Sequence, residues 1–410
     1  MIRSKNYPWI VVALLWLVAL LNYMDRQMLA TMRPSMQIDI AELQMATNFG
    51  RLMAIFLWIY GFMSPVAGLI ADRVNRKWLI VASLFVWSGV TFLMGFAKTF
   101  DELYLLRAVM GISEALYIPA ALALIADYHL SKTRSLANGI HLSGLYMGQA
   151  LGGFGAAIAA QYSWHLTFQS FGLIGMVYAV VLILFLKEIK VKKDPSEDEN
   201  AEKIPVMKGL TVLFSNISFW VILFYFMVPS LPGWSVKNWL PTLFANRLNL
   251  DMVQAGPLST VTTSLSSLLG VIVGGILSDR WVQKNVKGRV YTSAIGLSLT
   301  IPALLLIAFG DSLLHAIAAA FCFGFGFGMF DTNNMPILCQ FVSSKYRATG
   351  YGFMNLTGIL AGAFITDLLG KSTDQGNLGR DFAIMSGIVL VALVVQLTFL
   401  RPKVNDFMDE

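Results

Sequence analysis

Four ionisable residues lie within apolar segments of the sequence. Asp25 and Arg26 are adjacent in the stretch ALLNYMDRQMLATM, and Arg107 and Glu114 lie in LRAVMGISEALYIPAA. A charged side chain at the centre of a lipid bilayer costs roughly 2.5–3.5 kcal/mol on insertion scales, so such residues usually serve a function. The alternative is structural, namely that the charges pair with one another and hold two helices together.

The spacing of these residues predicts which helix faces they occupy. Arg107 and Glu114 are seven residues apart, nearly two helical turns, which places them on one face about 10 Å apart along the axis. Asn22 and Arg26 are four residues apart on the first helix, with Asp25 beside them. We therefore expect all four charges to face the interior of a helix bundle.

The four side chains have complementary chemistry. Arginine presents a planar fork of donors that binds a carboxylate through two hydrogen bonds, and it stays charged at any accessible pH. A buried carboxylic acid, in contrast, can take up a proton. Two arginines and two ionised acids form a neutral site, so a monoanion that binds there leaves a net negative charge unless a proton binds with it. The residues predict an anion clamp coupled to protons, without a cofactor.

The composition is that of a protein with many transmembrane helices. Of the 410 residues, 56% are hydrophobic and 13% are charged, whereas soluble domains are about one quarter charged. Apolar runs of about 20 residues, the length that crosses the hydrocarbon core, recur along the chain. We predict an all-α membrane protein with twelve spans, near residues 9–32, 47–70, 78–97, 102–126, 135–160, 166–187, 214–245, 255–277, 290–309, 313–338, 346–369 and 381–400.

Lysine and arginine residues concentrate on one side of the predicted spans. Positively charged loops are retained in the cytoplasm, so both termini are predicted to be cytoplasmic. The same asymmetry explains the net charge of +6, and no basic stripe or fold indicates nucleic-acid binding. A charged segment with two prolines, KEIKVKKDPSEDENAEKIPVMKG, divides the spans six and six. We predict an N-terminal half at residues 1–187, a cytoplasmic linker at 188–213 and a C-terminal half at 214–410.

A short motif occurs once in each predicted half. GLIADRVNRK at 68–77 and GILSDRWVQK at 275–284 both place Gly-x-x-x-Asp-Arg where a helix leaves the membrane. The motif resembles that of the major facilitator superfamily, which implies two pseudo-symmetric halves of six helices. Asn75 replaces the usual glycine, and we expect it to keep the turn because Asn tolerates left-handed backbone geometry.

An acid and several bases at a helix end can contact neighbouring helix ends in one conformation and release them in another. We predict such a conformational latch, formed by Gly68, Asp72, Arg73, Arg76, Lys77, Asp127, Asp279 and Arg280. For Arg76 and Lys77 the alternative is that they only enforce the membrane topology.

Two further motifs narrow the resemblance. Asn-Tyr-x-Asp-Arg in the first span, combined with Arg-x-x-x-Gly-x-x-Glu in the fourth, resembles the anion:cation symporter branch of the superfamily, which includes bacterial hexuronate and aldonate transporters. In that branch two arginines hold the substrate carboxylate and two acids carry the coupling protons. The resemblance implies that Arg26 and Arg107 form the clamp and that Asp25 and Glu114 bind protons.

Other polar and aromatic residues are predicted to line the cavity, which the first, fourth, seventh and tenth helices of the superfamily surround. Tyr60 of the second helix and Tyr146 and Gln149 of the fifth are predicted to reach it from their helix faces. The predicted substrate contacts are Asn22, Tyr23, Tyr60, Tyr146, Gln149, Trp234, Asn238, Asn333 and Asn334. Trp239 is suited equally well to the cavity and to the aromatic belt at the membrane surface. Asp331 matches no pattern of the branch: it is a third proton-coupling acid, a part of the latch or a partner of Lys237.

The sequence thus predicts a secondary active transporter in the bacterial inner membrane, which imports a small organic anion, a sugar acid such as a hexuronate or aldonate, by proton symport. We expect it to act as a monomer. One rival is an organophosphate or sugar-phosphate exchanger, which would also use two arginines but has little use for protonatable acids. Another is a transporter-like sensor. An enzyme is not expected, because the spans contain no Ser/His, Cys/His or metal-ligand arrangement.

Overall fold

The computed structural model describes residues 6–71, 74–129, 131–188, 206–343 and 346–402, and these residues are almost entirely helical. Asp72 and Arg73 of the predicted latch lie outside the described residues. The first half contains α1 (Tyr7–Asp39), α2 (Ala46–Ala71), α3 (Arg76–Met94), α4 (Phe100–Ala115), α5 (Tyr117–Tyr128), α6 (Ser131–Gly152), α7 (Gly155–Gln161) and α8 (Trp164–Phe185). A short 3-10 helix, Ala41–Gln44, joins α1 to α2.

The second half begins with a short helix that overlaps the end of the predicted linker. Most of the linker lies outside the described residues, but Val206–Phe214 is helical, as α9. The remaining helices are α10 (Ile217–Leu248), α11 (Met252–Val282), α12 (Gly288–Phe309), α13 (Leu313–Asp331), α14 (Asn334–Cys339), α15 (Arg347–Asp374) and α16 (Leu378–Phe399).

Eleven helical segments of the described chain are long and apolar enough to cross a membrane. The predicted fifth span, near 135–160, corresponds to α6 and α7. It is not one of the eleven segments because the helix is interrupted between α6 and α7 and because α6 begins with many polar residues (SKTRSLANGIH). The prediction of an all-α membrane fold with twelve spans is confirmed.

Two of the predicted continuous spans are interrupted next to an acid. The fourth span breaks at Leu116, between α4 and α5, directly after Glu114 and Ala115. The tenth span breaks at Thr332 and Asn333, directly after Asp331. A proline follows each break, at positions 119 and 336. Because proline has no backbone N–H to bond the carbonyl four residues earlier, these prolines favour interruptions at those points.

The two halves pack together at the end of the bundle where α1 ends and α2 begins, which we call the closed face. There α2 crosses α15 closely: a Cβ atom on Gly50 would lie 3.0 Å from the carbonyl oxygen of Thr366 and 3.1 Å from Cα of Gly370. The Phe49 ring meets the Trp239 ring of α10 edge to face, with centroids 6.2 Å apart. Trp239 is fully buried, so it does not belong to an aromatic belt at the membrane surface.

A carboxylate joins the halves at the same face. Asp374, at the end of α15, accepts hydrogen bonds from the backbone N–H groups of Ala46 and Thr47 at 2.7 and 2.8 Å and from the Thr47 hydroxyl at 2.6 Å. It thereby satisfies donors at the start of α2 that have no partner within the helix. At the opposite end, the open face, a Cβ atom on Gly68 of α2 or Gly352 of α15 would have no neighbour within 4 Å.

Replacing Asp374 by alanine should therefore weaken the closed face. Hydrogen bonds to a charged group contribute about 1.5–3 kcal/mol each. We therefore expect the free-energy difference between the observed conformation and conformations with a narrower open face to fall by at least that amount. Spin labels on cysteines introduced at Gly68 and Gly352, with Cys322 and Cys339 changed to serine, would report this as a new population at shorter distances.

The matched control is Asp381→Ala, which removes an acid whose ion pair is with the adjacent Arg380 of the same helix. Identical distance distributions in Asp374→Ala and the unmutated protein would show that the carboxylate does not hold the halves together.

Candidate substrate site

A buried ion pair joins α1 to α4 at the centre of the first half. Nε of Arg26 lies 2.6 Å from Oε2 of Glu114, whose side chain is fully buried. The Arg26 guanidinium also lies 4.7–4.8 Å from the ring centroids of Tyr23, Phe56 and Tyr60. Attraction between the cation and the ring faces supplements the ion pair. Arg26 is thus enclosed by one carboxylate and three aromatic rings.

Arg107 shares one ring of this cage and interacts electrostatically with Glu114 and Asp25, but it forms no ion pair with a described residue. Its guanidinium lies 4.6 Å from the Phe56 centroid, and Nη1 is 3.1 Å from the sulfur of Met110. Arg107 is almost completely buried, and its Nε has no hydrogen-bond partner in the described part of the chain. A buried donor without a partner is costly, so this guanidinium is suited to bind an additional acceptor.

Asp25 faces a different part of the first half. It is buried, and its Oδ2 accepts a hydrogen bond from the Thr91 hydroxyl of α3 at 3.2 Å. Asn22 is fully buried and lies close to Glu114. The structure therefore brings together Arg26, Glu114 and, through Phe56, Arg107, whereas Asp25 accepts a hydrogen bond from α3 and interacts with Glu114 and Arg107 electrostatically.

The predicted residues of the tenth span surround Asp331. Oδ1 of Asp331 accepts a hydrogen bond from Asn334 at 3.1 Å, and Tyr146 of the first half approaches Oδ2 at 3.5 Å. Asn334 in turn accepts a hydrogen bond from Tyr225 at 3.0 Å. Asn333 is fully buried and donates a hydrogen bond to the backbone oxygen of Met329 in α13. Asp331 is exposed and Asn334 is buried behind it.

The predicted residues of the seventh span divide into two groups. The Lys237 ammonium lies 4.9 Å from the Trp234 ring centroid, and the same lysine lines a small cavity with Gln149 and Gln27. Asn238 donates a hydrogen bond to Thr366 at 2.8 Å. Trp234 and Lys237 are half-buried and border the space between the halves. The Trp234 indole also packs on α15 at Gly362, and Asn238 contributes to the packing of α10 on the same helix.

Several residues at the site were not among the predicted contacts. Phe56 lies one turn before Tyr60 on α2 and faces both arginines, a spacing that could have identified it. Gln27 donates a hydrogen bond to the backbone oxygen of Lys237 at 2.9 Å and so joins the halves. Tyr351 of α15 is 40% exposed and interacts electrostatically with Asp331. No sequence signal indicated Gln27 or Tyr351.

Part of the predicted latch is assembled within the first half. The side chains of Arg76 and Asp127 form an ion pair. The Glu188 carboxylate accepts hydrogen bonds from the backbone N–H groups of Arg76 and Lys77 at 3.1 and 3.3 Å, and the Lys77 ammonium donates to the backbone of α8. Asp279 and Arg280 are exposed and form no ion pair with any described residue.

The expectation of a left-handed turn at Asn75 is wrong. Its φ angle is −56°, and its side chain accepts a hydrogen bond from the backbone N–H of Trp78 at the start of α3. Asn is a preferred residue at this position because its side-chain oxygen satisfies a free N–H group of the first helical turn. The residue thus serves as a helix cap and does not need the backbone geometry that favours glycine.

The aromatic cage requires close contact between α2 and α4. A Cβ atom on Gly111 would lie 2.7 Å from the backbone oxygen of Phe56. Gly111→Ala should therefore push the helices apart and lower the unfolding free energy by about 1–3 kcal/mol, the usual cost of overpacking, which thermal unfolding in detergent would measure. Gly89→Ala is the control, because its Cβ would meet only Met176 at 3.9 Å. Equal melting temperatures for the two variants would contradict the expectation.

Relatives of this chain include transporters that are named for different substrates. The hexuronate transporter of Bacillus subtilis (strain 168) is 25% identical over 414 residues, covering 96% of this chain and 95% of the relative. The chloroplastic sodium-dependent phosphate transport protein 1 of Arabidopsis thaliana is 26% identical over 419 residues, covering 95% of this chain and 79% of the relative.

The fold also matches a solved structure. A bacterial homolog of the human lysosomal transporter Spinster, in an inward-facing and unoccupied conformation, has a TM-score of 0.81 at 20% identity, covering 98% of this chain and 100% of that chain. At this identity the likeness concerns the fold alone. The family model described as Major Facilitator Superfamily matches residues 15–366, and with the eleven apolar helices this match shows that the chain belongs to that superfamily of membrane transporters and is not an enzyme.

Proposed function

We propose that this protein imports a small organic anion, a sugar acid such as a hexuronate or aldonate, together with at least one proton. The observation that carries the proposal is the buried Arg26–Glu114 ion pair beside Arg107. The three residues offer a substrate carboxylate two guanidinium groups, one of which is already bound to a carboxylate of the protein.

Competition for Arg26 supplies a coupling mechanism. A substrate carboxylate that binds Arg26 and Arg107 displaces Glu114 from its partner. A buried carboxylate without a counter-ion is very costly, so Glu114 takes up a proton when the anion binds. Asp25, which accepts a hydrogen bond from Thr91, is a second proton site.

The surrounding residues suit a sugar acid. Tyr23, Tyr60 and Tyr146 carry hydroxyl groups, and Trp234 offers an aromatic face to a sugar ring. The relative named hexuronate transporter supports this substrate class. We propose a location in the bacterial inner membrane with both termini in the cytoplasm, because lysine and arginine residues concentrate on that side of the spans. In that orientation the open face is cytoplasmic, and the predicted latch at Gly68, Arg76, Lys77, Asp127, Asp279 and Arg280 controls the return to the outward-open state. We propose a monomer as the functional unit.

A second candidate is a phosphate or organophosphate transporter, because arginines also bind phosphate bidentately. The relative named as a sodium-dependent phosphate transport protein favours this candidate and also sodium as coupling ion. A transporter-like sensor is a weaker candidate, since no described residue forms a cytoplasmic output domain.

Uptake into proteoliposomes separates these candidates. Labelled D-glucuronate, D-gluconate and inorganic phosphate would be presented with an inward proton gradient, an inward sodium gradient or no gradient. We expect accumulation of a sugar acid only with the proton gradient. Accumulation of phosphate alone, or accumulation driven by sodium alone, would refute the proposal.

Glu114→Gln separates coupling from binding. The amide keeps a hydrogen-bonding group near Arg26 but cannot release a proton, so exchange of labelled for unlabelled sugar acid should continue while gradient-driven accumulation falls by about tenfold or more. Glu102→Gln is the matched control on the same helix, because glutamine also completes the capping box with Thr99. Gradient-driven accumulation by Glu114→Gln at the unmutated rate would exclude this residue as the proton site.

A further inference from the structure

The two halves carry opposite charges at corresponding places. Arg26 lies 19 residues after the start of α1, and Lys237 lies 20 residues after the start of α10, the first long helix of the second half. Glu114 and Asp331 lie next to the interruptions of the fourth and tenth spans. Each half thus has a cation on its first span and an acid at the interruption of its fourth.

The two pairs differ in whether the cation and the acid are in contact. Arg26 and Glu114 are in contact at 2.6 Å. Lys237 and Asp331 interact electrostatically, but they form no ion pair with each other or with any other described residue. Glu114 is fully buried, whereas Asp331 is exposed and Lys237 is half-buried. The pair of the second half is therefore held apart and accessible.

Both residues face the space between the halves. Asp331 lies inside an apolar span, Leu313–Cys339, and its nearest partner from another span is Tyr146 of the first half. Gln27 of the first half contacts the backbone of Lys237, and the Lys237 ammonium lies beside the Trp234 ring. Their exposure is thus toward the central space rather than toward lipid. Discontinuous spans build the substrate sites of many transporters, because the interruption frees polar groups at the midplane.

We propose that Lys237 and Asp331 form a second subsite, which binds the neutral, hydroxyl-bearing part of the transported anion. The inference rests on the function proposed above, since it assumes a carboxylate at Arg26 and Arg107. A hydroxyl group both donates and accepts hydrogen bonds. Adjacent hydroxyls can donate to Oδ2 of Asp331 and accept from the Lys237 ammonium, while Trp234 covers an apolar face of the sugar.

The opposite charges of this subsite decide the class of substrate. A second carboxylate on the substrate would lose to repulsion by Asp331 the attraction that it gains from Lys237, and an ammonium group would lose to Lys237 what it gains from Asp331. An apolar chain would displace water from both charges without replacing its hydrogen bonds, which is costly. A polyhydroxylated monocarboxylate satisfies both residues without adding charge, so the subsite selects aldonates and hexuronates over diacids, amino acids and fatty acids.

The test is competition against the exchange of labelled D-gluconate, or labelled D-glucuronate if only that acid is carried. Exchange needs no gradient, so the readout is independent of proton coupling. The unlabelled competitors are D-gluconate, D-glucarate with its second carboxylate, and hexanoate, which has the same chain length and no hydroxyl groups. For the unmutated protein we expect D-gluconate to compete at concentrations at least about tenfold lower than the other two, the effect of one charged hydrogen bond.

Asp331→Asn and Lys237→Met should each remove most of this preference. We expect the half-inhibitory concentration of D-gluconate to rise about tenfold or more, while that of hexanoate changes little. Asp331→Asn should in addition improve competition by D-glucarate, because the repulsion of the second carboxylate is lost. If exchange becomes too slow to measure, the rise in melting temperature caused by each acid gives the same comparison.

Asp311→Asn and Lys284→Met are the controls, because both residues are exposed and lie at the ends of the bundle. The subsite would be refuted if the Asp331 and Lys237 variants kept the preference for D-gluconate, or if the half-inhibitory concentrations of all three competitors rose equally. Neither result would contradict the transport of sugar acids. If the unmutated protein exchanges neither D-gluconate nor D-glucuronate, the proposed function and the subsite both fail.

Discussion

The buried contact between Arg26 and Glu114 is the interaction on which the centre of the first half depends. A buried ion pair is rarely more stable than apolar side chains of the same volume, yet the loss of one partner leaves a costly charge. Here the pair is enclosed by aromatic rings from α1 and α2, and the approach of α2 is possible because α4 carries a glycine at 111. The helices around the pair are therefore packed to retain charge rather than to maximise stability.

The contacts between the halves are of a different kind, since they are concentrated at one end. At the closed face, backbone meets backbone at Gly50 and Gly370, and the Asp374 carboxylate caps a helix of the other half. At the open face, a Cβ atom on Gly68 or Gly352 of the same two helices would contact nothing within 4 Å. A bundle joined at one end and separated at the other can rock about the central charges without breaking the packing inside either half.

Much of the fold could be predicted from the sequence because the bilayer imposes a simple rule. Spans must be apolar and about 20 residues long, and the predicted spans correspond to the observed helices. The interruptions at Leu116 and Thr332 were not predicted, although Pro119 and Pro336 marked them. The helix cap at Asn75 was not predicted, because the expectation of left-handed backbone geometry came from the glycine that it replaces.

The orientation of Asp25 shows why the arrangement of the site could be predicted only in part from the sequence. The sequence places Asp25 and Arg26 side by side, but successive residues of a helix point about 100° apart. One of them therefore faces the cage and the other faces Thr91 on α3. Residues such as Gln27 and Tyr351 escaped prediction because their importance arises from the packing of one half on the other, which no local pattern records.

The charges of the two halves have different consequences for coupling on the proposed mechanism. Lys237 and Asp331 cancel each other, so a neutral hydroxyl-bearing group can bind between them without changing the charge of the cavity. In the first half, an incoming carboxylate changes that charge, and a proton on a displaced acid restores it. The number of protons carried with each anion is then determined by the first half alone, and the second half determines which anion is carried.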